Sequence, residues 1–329
     1  MSHTSDKIGA ARRLVPRGNG SGSVRRASFH SVAQVGQHCV DTPVFLIRQG
    51  MPAGGEQAFI PHRRGNRLDR YSFSVAPDRQ SHRLYLRASP EIAGQFQSIS
   101  SAALTYRLVG EHVPGAEGWT HCFRAPGVPD ASIRELADLL SEVITLPRLS
   151  AVEFAIAMDW YKVPSDDVDP REWRNTPDGE RVHVGKYWTG SPQAMAAAGR
   201  ALAGRILGAV RRHPALAAAD GVVAVPGHDG TYVSFGEQLG ASVARGLGVP
   251  LIKAATRREF RPPAKDLPAS GIHALRDEFS IPANLAGAAL LIVDDVFRSG
   301  GTLSSVALAA QQAGAARACG LVAVRTMRS

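Results

Sequence analysis

Between Ala289 and Leu303 an unbroken apolar run, Ala289-Leu290-Leu291-Ile292-Val293, stops at two adjacent carboxylates, Asp294 and Asp295, and continues as Val296-Phe297-Arg298-Ser299-Gly300-Gly301-Thr302. A strand without polar interruption is covered on both faces, and the alanine-rich stretch after Thr302 has helical period, so the segment reads as buried strand, loop, helix. That order commits this part of the chain to an α/β architecture. Open sheets of this kind bind ligands at the carboxyl ends of their strands, where the two acids stand.

Two features make the loop a ligand site. Adjacent carboxylates can accept hydrogen bonds from a vicinal diol or face a metal ion. Gly300 and Gly301 let successive N–H groups turn inward, and the positive end of a helix starting near Thr302 adds to them, so residues 299–302 form a phosphate cradle. A diol reader beside a phosphate cradle describes a site for a ribose 5-phosphate.

The string VDDVFRSGGT (293–302) resembles the phosphoribosyl-pyrophosphate (PRPP) motif of type I phosphoribosyltransferases. The resemblance implies that Asp294 and Asp295 face the ribose hydroxyls and that Arg298, Ser299, Gly300, Gly301 and Thr302 surround the 5-phosphate. Arg298 departs from the small hydroxyl residue usual at its position. The turn Pro226-Gly227-His228-Asp229-Gly230 occupies the place where this family wraps pyrophosphate, with a simple surface turn as the alternative. Arg257, Arg258 and Lys265 lie in a proline-interrupted loop similar to the family's mobile loop over PRPP, and arginines match phosphate oxygens bidentately. Lys265 stands where a glutamine is common. The order VPG…SFGEQL…RREFRPPAKDL…LRDEF…LLIVDDVFRSGGTL is most similar to the ComF-like branch, over about residues 186–329, although that branch's N-terminal cysteine zinc module has no counterpart in this sequence.

Two other proteins end an apolar strand in paired acids. A P-loop NTPase needs G-x-x-x-x-G-K-[ST] upstream, and the only Gly-Lys pair, Gly185-Lys186, is followed by Tyr187 with Glu180 at the first glycine position. A phosphorelay receiver carries its acids after the first strand rather than near the end of the chain.

The 329 residues, 44% apolar and 20% charged, contain no apolar run near the roughly 20 residues a membrane helix needs, so a protein of the cytoplasm is expected. Cys39, Cys122 and Cys319 are far apart, which argues against a zinc ribbon or a disulfide framework. The net charge of +9 invites nucleic acid as a partner, but residues 1–36 carry +5 of it, residues 37–192 carry −2 and residues 193–329 carry +6. The first 36 residues, rich in Gly, Ser and Arg, read as a disordered leader. Leu14-Val15-Pro16-Arg17-Gly18 within it also matches a thrombin site of the sort used in recombinant expression.

Residues 37–161 read as a mixed α+β domain, with strands at 43–48, 71–75, 83–87, 103–109, 119–123 and 151–161 and a helix from Ala131 to Ile144 capped by Asp130. The basic and histidine residues here, His62 to Arg64 and His112 with His121 among them, read as solvated surface. Residues 162–190, with their prolines and acidic run, read as a linker, although Lys186 is a ligand candidate and Tyr187-Trp188 pack onto the C-terminal domain. Residues 191–329 read as an open, mostly parallel sheet flanked by helices: helix 193–212, strand Gly221–Val225, helix Ser234–Leu247, strand Pro250–Ala255, strand Leu290–Val293, helix Leu303–Ala313 and strand Gly320–Val324.

The function implied by the resemblance is transfer of a phosphoribosyl group between pyrophosphate and an unidentified base or other acceptor. Asp294, Asp295, Arg257 and Arg258 act in it, and magnesium is held by the substrate rather than directly by the protein. Only residues 325–329 follow the last strand, so the acceptor-selecting surface is expected from 37–160 or from the segment around Trp173 and Lys186–Trp188. The alternative is a catalytically silent PRPP- or nucleotide-sensing or competence-related binding protein on the same fold. A homodimer is compatible with either.

Overall fold

The computed structural model describes residue 60 and residues 62–100, 118–165, 167–187, 190–228, 232–258 and 277–327. The strands expected at 43–48 and 103–109, the leader, His112, Trp188, Asp229, Gly230 and Lys265 lie outside the described residues. Among the described residues no helix is long and apolar enough to cross a membrane.

β1 (Arg70–Val75) and β2 (Ser81–Arg87) are paired antiparallel, α1 (Pro90–Ser100) follows, and β3 (His121–Pro126) joins β2 to complete a three-stranded sheet. α2 (Ala131–Glu142) begins where Asp130 accepts a hydrogen bond from the Ser132 N–H at 2.7 Å and buries Ile133, Leu136, Leu139 and Leu140. The helix stops two residues before the expected Ile144, because Val143 turns extended and Ile144–Thr145 forms a strand, β4.

The remaining elements are β5 (Ala155–Trp160), α3 (Pro177–Tyr187), α4 (Pro192–Arg212), α5 (Pro214–Ala217), β6 (Gly221–Ala224), α6 (Phe235–Leu247), β7 (Leu251–Lys253), β8 (Ala255–Thr256), β9 (Phe279–Ser280), β10 (Ala289–Phe297), α7 (Gly301–Gln312) and β11 (Arg317–Arg325). Six strands form the main sheet in the order β4-β5-β11-β10-β6-β7, all parallel except β4. Along β10, Leu291 and Val293 face one core with α4 and α6, while Leu290 and Ile292 face a second core with α7. An open, mostly parallel sheet flanked by helices is therefore the observed architecture.

The division at residue 161 does not hold. β5, expected in an N-terminal domain, pairs with β11 from Gly320↔Ala155 to Arg325↔Trp160 and extends the main sheet. The first core runs without a break from Leu84, Phe96 and Leu136 to Leu202, Leu291 and Leu321. Arg212 at the end of α4 holds both carboxylate oxygens of Glu142 at 2.6 and 2.9 Å. The described residues form one compact unit for these reasons.

Residues 162–190 are likewise more than a linker. Pro177 starts α3, the Gly179 N–H donates to Thr176 Oγ1 at 2.9 Å, and Asp178, 1% exposed, lies 2.6 Å from Arg181 and 3.1 Å from Arg205 of α4. Gly179 packs directly on β5's end, where a Cβ would fall 1.9 Å from the Tyr161 carbonyl oxygen.

His213, between α4 and α5, is fully buried, stacks on Phe154 at 4.7 Å and lies 3.1 Å from Gln95 Oε1, while Gln95 Nε2 donates to Thr145 Oγ1 at 2.8 Å. Burial pushes its pKa down to about 3. The unfolded chain therefore binds a proton near pH 6.5 that the folded chain refuses, so stability is full above 6.5 and falls as pH drops toward 3. From this group alone the slope should reach roughly 1.4 kcal/mol per pH unit. Denaturant unfolding at stepped pH should show that slope reduced in His213→Gln, and identical slopes would refute the assignment.

Candidate functional site

The pairing of β10 with β11 continues through Val296↔Val324 and Phe297↔Arg325, whereas its pairing with β6 stops at Val293↔Ala224. Asp294 and Asp295 thus lie inside the strand rather than just after it, at the point where the β6 chain peels away. The separation opens a crevice beside the two acids, where the sheet's ligand position is expected. A cleft of about 1450 Å³ occupies it, lined by Asp294, Asp295, Arg298 and Thr302, by Pro226, Gly227 and His228 after β6, and by Lys186 of α3.

Strand alternation places Asp295 on the Leu291 and Val293 face, toward α3. Lys186 Nζ donates to Asp295 Oδ1 at 2.9 Å, with the carboxylate side chain 9% exposed and the lysine 36%. Burial is the largest influence on Lys186 and opposes its charge, but the Asp295 carboxylate, the hydrogen bond to it and nearby Asp294 together raise its pKa above the ordinary lysine value. The two acids are consequently not equivalent. Asp295 is engaged by an ammonium contributed from 109 residues away, whereas Asp294 is half-buried, accepts its neighbour's backbone N–H at 2.8 Å and lines the cleft.

α7 begins at Gly301, and Gly300 precedes it in the left-handed region at φ 84°, with no side chain capping the helix. A glycine at the N-cap offers the first-turn amides no side-chain oxygen, and an anion can take that place. Arg298 and Thr302 reach the cleft, but Ser299, Gly300 and Gly301 are not among the residues that line it. Gly300→Ala should cost about 1–2 kcal/mol, because the new Cβ needs a positive φ and would sit 2.4 Å from Leu149 Cδ2 and 2.9 Å from the Phe297 ring. Thermal unfolding checks this, and an unchanged midpoint would contradict it.

The turn after β6 is fixed by α6. Ser234 and Glu237 form a reciprocal capping box, and the same Glu237 Oε2 accepts from the Gly227 N–H at 3.3 Å. The Gly227 amide, expected to meet pyrophosphate, is in this structure committed to that carboxylate. Pro226, Gly227 and His228 still line the cleft, while Asp229 and Gly230 lie outside the described residues.

Arg257 and Arg258 stand at the base of the β8–β9 ribbon and do not line the cleft. The Arg257 N–H donates to the Glu278 carbonyl at 2.9 Å, and Arg258 Nε lies 3.7 Å from the Glu278 carboxylate.

Sequence reasoning singles out the segment 186–188 but not Tyr161 at β5's end. Tyr161 and Tyr187 line the cleft beside Lys186, and burial pushes the Tyr161 hydroxyl up to about 12, so it is a neutral donor rather than a base. The signal for α3 is present in Thr176-Pro177-Asp178-Gly179-Glu180, a hydroxyl cap, a proline at the first helical position and acids in the first turn.

No family model and no curated protein matches the chain. Among solved structures, a purine phosphoribosyltransferase from Pyrococcus horikoshii aligns at 16% identity over 38% of this chain and 80% of its own, with a TM-score of 0.27. An adenine phosphoribosyltransferase from Leishmania tarentolae aligns at 10% identity over 53% of this chain and 91% of its own, with a TM-score of 0.32. Likeness at these values carries no weight for function, and the sheet architecture stands on its own strand pairings.

Proposed function

We propose that the chain is a phosphoribosyltransferase that binds PRPP with magnesium and moves a phosphoribosyl group to or from an acceptor. The observation that carries this reading is the convergence on one cleft of strand-borne Asp294, of Arg298 and Thr302 at the uncapped N-terminus of α7, and of the turn after β6. Asp294 receives the ribose hydroxyls, while Thr302 and Arg298, which line the same cleft, hold the 5-phosphate. The sugar is then fixed at both ends before reaction.

The acceptor's lone pair forms a bond to the anomeric carbon as the carbon–oxygen bond to pyrophosphate breaks, and the electron pair leaves on pyrophosphate. Positive charge builds on the sugar ring between the two events, and the Asp294 carboxylate stabilises it. Pro226 to Gly230 and the basic residues Arg257, Arg258 and Lys265 serve the departing pyrophosphate. On this reading the magnesium ion takes most of its oxygens from the substrate rather than from the protein. The ion would neutralise leaving-group charge. The motif order keeps the ComF-like branch as the proposed placement within the family.

The Lys186–Asp295 ion pair supports a second reading, a PRPP- or nucleotide-sensing protein without turnover, because one of the two acids is already occupied. Pyrophosphate release from labelled PRPP with magnesium, measured across a panel of acceptors, separates the two. Release with any acceptor supports the enzyme. Tight PRPP binding without release supports the sensor, and no PRPP binding overturns both.

A further inference from the structure

The large cleft has a side chamber of about 530 Å³ that shares Tyr161, Tyr187, Arg298 and Thr326 with it and is otherwise lined by Lys162, Pro170, Arg171 and Trp173 after β5 and by Met327 after β11. Three aromatic rings and three cations meet there, and no carboxylate lines the chamber among the described residues. Trp173 donates its indole N–H to the Ser165 and Val168 carbonyls at 3.0 and 2.9 Å, which holds the ring in place. Lys162 Nζ donates to the Arg171 carbonyl at 2.9 Å, which holds that ammonium beside the chamber. Tyr187, 55% exposed, is a large ring left open at the junction with the cleft. A held indole ring and a held ammonium among further rings and guanidinium groups suit a flat solute carrying negative charge, since ring faces take the plane and guanidinium forks take an anionic group.

We propose that this chamber is the acceptor subsite and that the acceptor is a planar heteroaromatic acid, its ring among Tyr161, Trp173 and Tyr187 and its carboxylate toward Arg171 and Lys162. The inference rests on the phosphoribosyltransferase reading. Arg298, which lines both spaces, would then stand between the sugar phosphate and the acceptor. In the forward direction a ring nitrogen supplies the lone pair, pyrophosphate leaves with its electrons, and any proton on that nitrogen passes to solvent.

The test is calorimetric titration of the full chain with two matched pairs of probes, nicotinate against nicotinamide and orotate against uracil, and separately with magnesium-PRPP. In at least one pair the acid should bind tenfold or more tightly than its neutral partner. Arg171→Glu should weaken the acid at least tenfold and the neutral compound less than twofold. Trp173→Ala should weaken both members about fivefold, and both variants should keep wild-type melting behaviour and PRPP affinity. Acids and neutral partners binding alike in both pairs, or an Arg171→Glu variant that keeps the acid preference, overturns the inference while PRPP binding leaves the enzyme reading intact. Failure to bind PRPP with the acid preference retained overturns the enzyme reading and the acceptor role together.

Discussion

Gly179→Ala should lower unfolding stability by more than 3 kcal/mol, a loss of at least about 4 °C in melting temperature for a chain of this size. The added Cβ would lie 1.9 Å from the Tyr161 carbonyl oxygen, against an ordinary carbon–oxygen approach of about 3.3 Å. The obstacle is backbone at the end of β5, so no side-chain rotation relieves it, and α3 must move by roughly 1 Å or more. Moving α3 strains three attachments at once: the Thr176 cap, the contact of buried Asp178 to Arg205 of α4, and the Lys186 contact to Asp295. Ligand affinity should fall with stability, because Lys186, Tyr187 and the cleft wall belong to the same helix. Calorimetric melting is the measurement, and a variant that melts with the wild type would show that α3 does not rest on Tyr161.

Asp294→Asn should reduce pyrophosphate release by a factor of about 100–1000 while leaving the melting temperature within a few degrees of wild type. The substitution keeps size and one hydrogen-bond acceptor for the Asp295 N–H, so the strand is undisturbed. On the phosphoribosyltransferase reading, what it removes is the negative charge beside the sugar at the moment the ring becomes positive. Asp295→Asn is the informative contrast, since it leaves Lys186 without its carboxylate and should act on stability as well as rate. An Asp294→Asn enzyme within tenfold of wild type would remove Asp294 from the reaction.

Local sequence pattern reaches those parts of the molecule that local physics controls. Leu290–Val293 is readable because a strand covered on both faces has no polar position to vary, and α4 begins at Pro192, one residue from its expected start, because serine, proline and a run of alanines leave little choice. Asp130 caps α2 as its position requires. The ends are harder: β10 extends past the acids to Phe297 because β11 continues beside it, and that partner is invisible from the strand itself.

The allegiance of β5 is hidden for the same reason. An apolar run says that two faces are buried, not which strands flank it, and Ala155 to Trp160 lie far in sequence from β11. In residues 162–190 the prolines and acids look like punctuation. Pro177 in fact opens a helix, and Asp178 is an acid made tolerable in the interior by two arginines, one of them on α4. Lys186 stands out in the sequence only as a charge near aromatics, because its relation to Asp295 exists in three dimensions alone.

The position of β11 sets an order of assembly. It is the last of the described strands to be synthesised, yet it lies between β5 and β10 in the middle of the main sheet. Until it emerges, β4–β5 and β10–β6–β7 are two unfinished ribbons, each with a row of unsatisfied amides and carbonyls on the side that will meet it. Growth from the ribosome therefore cannot close this protein progressively from its N-terminal end; closure waits for one late rung, and the nascent chain spends that interval exposed to mispairing and to the chaperones that prevent it.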